Sequence, residues 1–211
     1  MNYIIKSFTL GALATNSYII ACSKTQIGAV IDPGGVDSSE IVDFIKKEKF
    51  NLKYIINTHG HADHICGNNF IKQEFPEAKL LIHQLDNILL RDPIKNLSSF
   101  CGTPVISFMA DQTINENDII DLGELKIKVF HTPGHTRGSI SLVLNEKYIF
   151  SGDTLFKCSI GRTDLPGGSY KDIISSIKNK LFLLNDNCIV YPGHGEMTNI
   201  GNEKKENPFF I

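Results

Sequence analysis

The sequence has no Cys-x-x-Cys pair and no long run of one charge sign, and it has no apolar run near the ~20 residues that span a bilayer. Each absence excludes something. Five cysteines, Cys22, Cys66, Cys101, Cys158 and Cys188, form an odd and scattered set, which argues against a disulfide scaffold and for reduced thiols in a cytoplasmic compartment. Lys and Arg number 21 against 23 Asp and Glu, a net charge of −2. With the signs mixed along the chain, neither a nucleic-acid surface nor a membrane-binding face is expected. Residues 8–14 end in Ala-Leu-Ala after Lys6, as a cleaved leader would. The apolar stretch is short and Tyr3-Ile4-Ile5 precedes the charge, the wrong order for secretion. A hydrophobic content of 42% over 211 residues suffices for one core, so a single domain over residues 1–211 is expected. Lys204-Lys205, flanked by Glu203 and Glu206, reads as a solvated tail.

What the chain does have is Thr58-His59-Gly60-His61-Ala62-Asp63-His64. Three imidazoles and a carboxylate so close together gain nothing from a dry core unless they have partners. Metal binding satisfies them. Imidazole with carboxylate suits zinc, manganese or iron better than calcium or magnesium.

Short β-branched runs at Tyr3-Ile4-Ile5, Tyr18-Ile19-Ile20 and Ala29-Val30-Ile31 predict strands, and Asp32-Pro33-Gly34-Gly35 a turn. Ile41, Phe44 and Ile45 share one helical face, with Ser38 or Ser39 as the cap. Residues 52–56 form a strand running into the His cluster. Ile65, Phe70 and Ile71 predict a helix behind it, whose N-terminus favours the Asp63 carboxylate. Residues 80–82 form another strand, and His83 at its end reads as a hydrogen-bonded edge residue rather than a ligand. Residues 87–114 are weakly patterned, with one short helix and a loop. Strands are predicted at 126–130, 141–144, 148–150 and 188–191, and a helix over 170–184. Three of these strands exit into His135, Asp153 and His194, each beside a glycine that lets the backbone approach a compact site.

His59-x-His61-x-Asp63-His64, then His135 in Pro-Gly-His-Thr, Asp153 in Ser-Gly-Asp-Thr and His194 in Pro-Gly-His-Gly, resembles the metallo-β-lactamase superfamily. Within it, Gly161-Arg162-Thr163-Asp164 resembles the loop of short glyoxalase II-like (hydroxyacylglutathione hydrolase-like) enzymes. The resemblance implies an α/β fold, an αβ/βα sandwich of two mixed β-sheets flanked by helices. It implies two divalent metal ions, zinc first with iron or manganese as alternatives. His59, His61 and His135 would hold one ion, Asp63, His64 and His194 the other, and Asp153 would bridge them. His61 stands where the flavo-diiron branch typically has Glu, so oxygen reduction is not expected. Asp153 stands where many true β-lactamases have Cys, which disfavours a β-lactam substrate.

The implied reaction is hydrolysis of a thioester, of the glyoxalase II type. Two cations sharing a water lower its pKa towards neutrality and stabilise the oxyanion formed by attack on an acyl carbon. Asp63 and Asp153 would be the catalytic carboxylates, and Arg162 would contact substrate or pair with Asp164. The expected partner is a small acyl substrate, a glutathione thioester among the candidates. Full-length glyoxalase II enzymes add a C-terminal helical domain, not expected here, and a loop Lys and Tyr. Arg162 keeps the charge, and Asp164 does not replace the Tyr. The alternatives are a persulfide dioxygenase with one iron, or a lactonase on the same fold. Persulfide dioxygenases place Cys before Gly-Arg-Thr-Asp; here Ile160 precedes Gly161 and Cys158 is displaced. Cys66 is assigned to packing.

Overall fold

The computed structural model describes residues 2–100 and 102–211. Cys101 lies outside the described residues.

The first sheet begins with β1 (Tyr3–Leu10), β2 (Thr15–Cys22) and β3 (Ile27–Ile31). After α1 (Ser39–Glu48) come β4 (Asn51–Ile56), two short helices α2 (Ala62–Ile65) and α3 (Asn68–Glu74), then β5 (Lys79–His83) and β6 (Gln112–Ile114). Strand order is β1 to β6 in sequence. The first three strands pair antiparallel and the last three join in parallel.

The second sheet is built from β7 (Ile119–Leu122), β8 (Leu125–His131), β9 (Ile140–Leu144) and β10 (Tyr148–Gly152). A small hairpin, β11 (Leu155–Phe156) with β12 (Ser159–Ile160), precedes α4 (Tyr170–Asn179). The chain then adds β13 (Ile189–Pro192), β14 (Thr198–Asn199) and α5 (Ile200–Glu206). The order is β14-β13-β10-β9-β8-β7, with β13 parallel to β10.

Side-chain alternation explains the layering, because successive strand residues face opposite ways. In β2, Ile20 joins Ile31, Ile56, Leu142 and Phe150 between the sheets. Its neighbour Ile19 faces outward and packs with Val30, Ile55 and Leu80 against Ile41 and Ile45 of α1. The second sheet's outer face uses Ile149 and Val190 against Ile173 and Ile177 of α4 and Ile200 of α5. The result is the expected αβ/βα sandwich. Strands β2 and β9 are buried along their whole length, as strands covered on both faces must be.

Several local expectations are corrected. The helix behind the His cluster is two helices, broken at Cys66-Gly67, because Gly67 lies against the Pro33 and Gly35 carbonyls and the Ser38 hydroxyl. Ser38 sits at the N-cap of α1 but turns its hydroxyl to the Gly35 carbonyl at 2.7 Å instead of capping. The helix at 170 ends at Asn179, and a 3-10 turn, Leu181–Leu183, follows. Among the described residues of 87–114 there are two 3-10 turns and β6 rather than one short helix. Residues 203–206 are not a solvated tail: they belong to α5, and Glu203 is buried. Among the described residues, no helix is long and apolar enough to cross a membrane.

Phe150 is 1% exposed, meets Tyr18 edge-on and stacks on Tyr191, with ring centroids at 5.2 and 5.1 Å. Phe150→Ala is expected to destabilise the sandwich by about 3–5 kcal/mol, read as a lower urea midpoint; a loss under about 1 kcal/mol would show that the inter-sheet core collapses around the gap.

Candidate metal centre

Strands β3 and β4 run in parallel, and so do β10 and β13, while β8 is separated from β10 by the antiparallel β9 and therefore points the same way as β10. Ligands of sandwiched α/β sheets collect at such carboxyl ends. Here β4 exits to His59, β8 to His135, β10 to Asp153 and β13 to His194. Backbone bonds lock the two sheets together at this edge, from Ile140 N–H to the Thr58 carbonyl (2.9 Å) and from Asn16 N–H to the Gly193 carbonyl (2.7 Å).

Two groups of side chains converge. His59, His61 and His135 offer one ring nitrogen each, and Asp63, His64 and His194 offer a carboxylate oxygen and two ring nitrogens; within each group the atoms lie within 4.8 Å of one another. A third grouping, His59 with His64 and Asp153, overlaps both. The Oδ2 of Asp153 stands 3.5 Å from His135 Nε2 and 3.6 Å from His194 Nε2, between the two groups. His61 Nδ1 faces His135 Nε2 at 2.8 Å, and Asp63 Oδ2 faces His194 Nε2 at 3.1 Å.

Three buried polar atoms here, His59 Nε2, His61 Nε2 and Asp153 Oδ1, have no hydrogen-bond partner. Unpartnered buried polar atoms are costly. A nitrogen-rich donor set with two carboxylates at this spacing fits divalent cations, and a cation would satisfy what the protein leaves open.

The imidazoles are aimed by partners on their far sides, as ligating histidines require. His64 Nδ1 lies 3.0 Å from Asp32 Oδ2, whose carboxylate also accepts from the Thr58 N–H (2.7 Å) and hydroxyl (2.6 Å). His135 Nδ1 contacts the Arg162 carbonyl at 2.9 Å, and His194 Nδ1 the Leu13 carbonyl at 3.1 Å. Their Nε2 atoms are thus left facing the site. Asp86 ties the first group together: it accepts from Gly60 N–H (2.9 Å), the Thr136 hydroxyl (2.7 Å) and Gly138 N–H (2.7 Å). Burial pushes the Asp86 carboxyl up from its ordinary value, against the pull of those three donors.

Protonation follows the same surroundings. Burial and the crowding of like imidazoles hold His59 well below its ordinary value, and burial with His135 brings His61 down to about 3. Both present free lone pairs at neutral pH. Burial opposes charge on His64, but Asp63, Asp153 and Asp32 together hold its pKa well up. Burial also opposes charge on Asp63, yet His64 and His194 keep its carboxyl below the usual range.

Glycine at two exits is required by space. A Cβ on Gly193 would lie 2.2 Å from Asp153 Oδ1, and Gly152 takes φ +48° with Thr58 Oγ1 where a Cβ would sit. The structure therefore assembles His59, His61, Asp63, His64, His135, Asp153 and His194 at one edge. Arg162 stands apart from them, exposed, its guanidinium bonded bidentately to Asp164 at 2.9 and 2.8 Å. His83 accepts from Leu85 N–H at 3.2 Å and stacks on His131 at 4.1 Å, outside the site. Cys66 donates its thiol to the Gly34 carbonyl at 3.0 Å, and burial pushes it up to about 11. The sequence reading missed Asp32 and Asp86. A carboxylate at a strand exit could have flagged Asp32, which read only as part of a turn.

Comparison with known proteins agrees with this arrangement. Residues 10–194 match the family described as the metallo-beta-lactamase superfamily. Hydroxyacylglutathione hydrolase GloC of Haemophilus influenzae is 39% identical over 183 residues, 86% of each chain. Among solved structures, BLEG-1 B3 metallo-beta-lactamase superposes with a TM-score of 0.92 at 36% identity, covering 98% of this chain and 99% of that one. TTHA1623 in a di-iron-bound form gives 0.84 at 28% identity, covering 97% and 99%. A sandwich that gathers five imidazoles and two carboxylates at one edge, in this order along the chain, belongs to the metallo-beta-lactamase superfamily, and the chain is a metallo-hydrolase of it.

Proposed function

We propose that the protein is a zinc-dependent thioester hydrolase of the glyoxalase II type, working on a small acyl substrate in the cytosol. The observation that carries hydrolysis is the pair of ligand groups meeting at Asp153. Its likeness to GloC supports the thioester. The free thiols of Cys22, Cys66, Cys158 and Cys188 fit a reducing compartment.

His59, His61 and His135 would hold one cation and Asp63, His64 and His194 the second, with Asp153 shared. Bound there, two divalent cations would supply an ionised water at neutral pH and polarisation of an acyl oxygen. The chain's own residues set the geometry. Asp63, kept ionised by His64 and His194, accepts a hydrogen bond from Thr15 at 3.2 Å and leaves its carboxylate able to orient an attacking water. Asp32 and the Leu13 and Arg162 carbonyls keep His64, His194 and His135 from turning. A thiolate leaving group needs little protonation, so no general acid is required and no Ser or Cys nucleophile is called on.

Arg162 is the proposed anchor for a substrate carboxylate. Its pair with Asp164 is exposed and weakly held, so an arriving carboxylate can compete for the guanidinium. Persulfide oxidation is disfavoured, since Ile160 fills the place before Gly161 and Cys158 lies in the hairpin turn. The likeness to BLEG-1 favours one second reading, β-lactam hydrolysis at the same site, in spite of Asp153 at the bridging position.

S-lactoylglutathione should be hydrolysed by the zinc-loaded protein, with activity lost to a chelator and restored by zinc. Turnover of a chromogenic cephalosporin with none of the thioester would select the second reading. Asp153→Asn should lower kcat on the order of 10²-fold or more and reduce bound zinc; full activity with full metal would reject the bridging role. Arg162→Ala should raise KM about three- to tenfold with kcat nearly unchanged, whereas an unaltered KM would make the Arg162–Asp164 pair purely structural.

A further inference from the structure

Glu203 is a carboxylate 1% exposed on α5, and it makes no direct contact with any residue assigned to the metal centre. Among the described residues no basic side chain pairs with it in an ion pair. Its oxygens are met by neutral donors instead. Oε1 accepts from the Thr198 hydroxyl at 2.6 Å, and Oε2 from Cys158 N–H at 2.9 Å and Asn207 Nδ2 at 2.8 Å. A buried carboxylate costs more than an apolar side chain of similar size, so packing of α5 against Ile173 and Ile177 does not explain it.

Two of the three donors, Cys158 and Thr198, lie on segments joined to the site, and the other, Asn207, bonds to the first of these segments. Cys158 is the second residue of the two-residue turn between β11 and β12 and takes φ +54°, a conformation that favours glycine. Glu203 holds the N–H of that strained residue. Asn207 doubles the grip, donating also to the Ser159 carbonyl at 3.0 Å. The hairpin so clamped begins two residues after Asp153 and ends at Ile160, next to Gly161, where a Cβ would lie 1.8 Å from the Asp153 carbonyl and 3.3 Å from His135 Cβ. Next comes Arg162, whose carbonyl receives His135 Nδ1. The third donor, Thr198, pairs with Val190 of β13, the strand that exits to His194.

We infer that Glu203 is a positioning residue for the metal centre, acting through the β11–β12 hairpin to fix the Asp153 loop and the carbonyl that orients His135. This rests on the metal-centre reading above. A side chain that orients a ligand from outside the site changes metal affinity about 10- to 100-fold when removed.

The test is zinc affinity, measured by competition with a chromophoric chelator on the full chain. Glu203→Leu keeps the volume and removes both acceptors; its weakest zinc site should lose about tenfold in affinity. Glu203→Gln should restore affinity to within about threefold of the wild type, because the amide oxygen can still take Cys158 N–H while the amide nitrogen donates to the Thr198 hydroxyl. Ile177→Ala, in the same apolar cluster but not bonded to the hairpin, should leave affinity unchanged. If Glu203→Leu does not fold, Asn207→Ala should show the same loss, smaller in size. Wild-type affinity in Glu203→Leu or Asn207→Ala overturns the inference, as does an equal loss in Ile177→Ala. A wild-type protein that binds no zinc overturns the metal-centre reading itself, and the positioning role falls with it.

Discussion

Five imidazoles and two carboxylates are held within a few ångströms of one another, most of them out of water, and everything else at this edge of the sandwich answers that constraint. Left alone, such a cluster would swell: its lone pairs face one another, and burial disfavours the charges that water would otherwise solvate. The inter-sheet core around Ile20, Ile56, Leu142 and Phe150 forces the strand exits together. Asp32 and Asp86 then fix where the exits to the His59–His64 cluster and to His135 point. The hydrophobic layers supply the closeness, and the outlying carboxylates supply the aim.

The arrangement divides labour between the two sheets. The first contributes a dense local cluster from one strand exit, so that His59, His61, Asp63 and His64 share one turn and one short helix. The second contributes single residues from three exits, each admitted by a glycine or a tight turn. Asp86, just before the 3-10 turn Asn87–Leu90 that follows β5, binds Gly60 on one side and Thr136 and Gly138 on the other. One carboxylate therefore holds the local cluster and the first distant ligand in a common frame.

Much of this was legible in the sequence because it depends on short-range pattern. The His cluster, the short β-branched runs within β1, β2 and β3, and the polar exits at His135, Asp153 and His194 are all contained within a few consecutive residues. What the sequence hid was pairing at a distance. Asp86 sits in a stretch with no periodicity, and its partners are 26 to 52 residues away. Glu203 stands among charges that resemble a solvated face, and only the hairpin docked against it makes it an interior group. The break at Gly67 was hidden for the same reason, since the carbonyls that demand a glycine come from the turn at Pro33 and Gly35. The order of strands was likewise beyond periodicity; the family resemblance implied a sandwich of two mixed sheets, and the order within them is seen in the structure.

His59 and His61 hang from the first sheet and His135 from the second. Anything that grips all three is a rivet through both halves of the molecule. By mass action, a ligand held 100-fold above its dissociation constant adds about 2.7 kcal/mol to the folded state. The folded lifetime of such a protein, and its exposure to proteases, would then track the cell's supply of metal, so that scarcity removes the catalyst along with its cofactor.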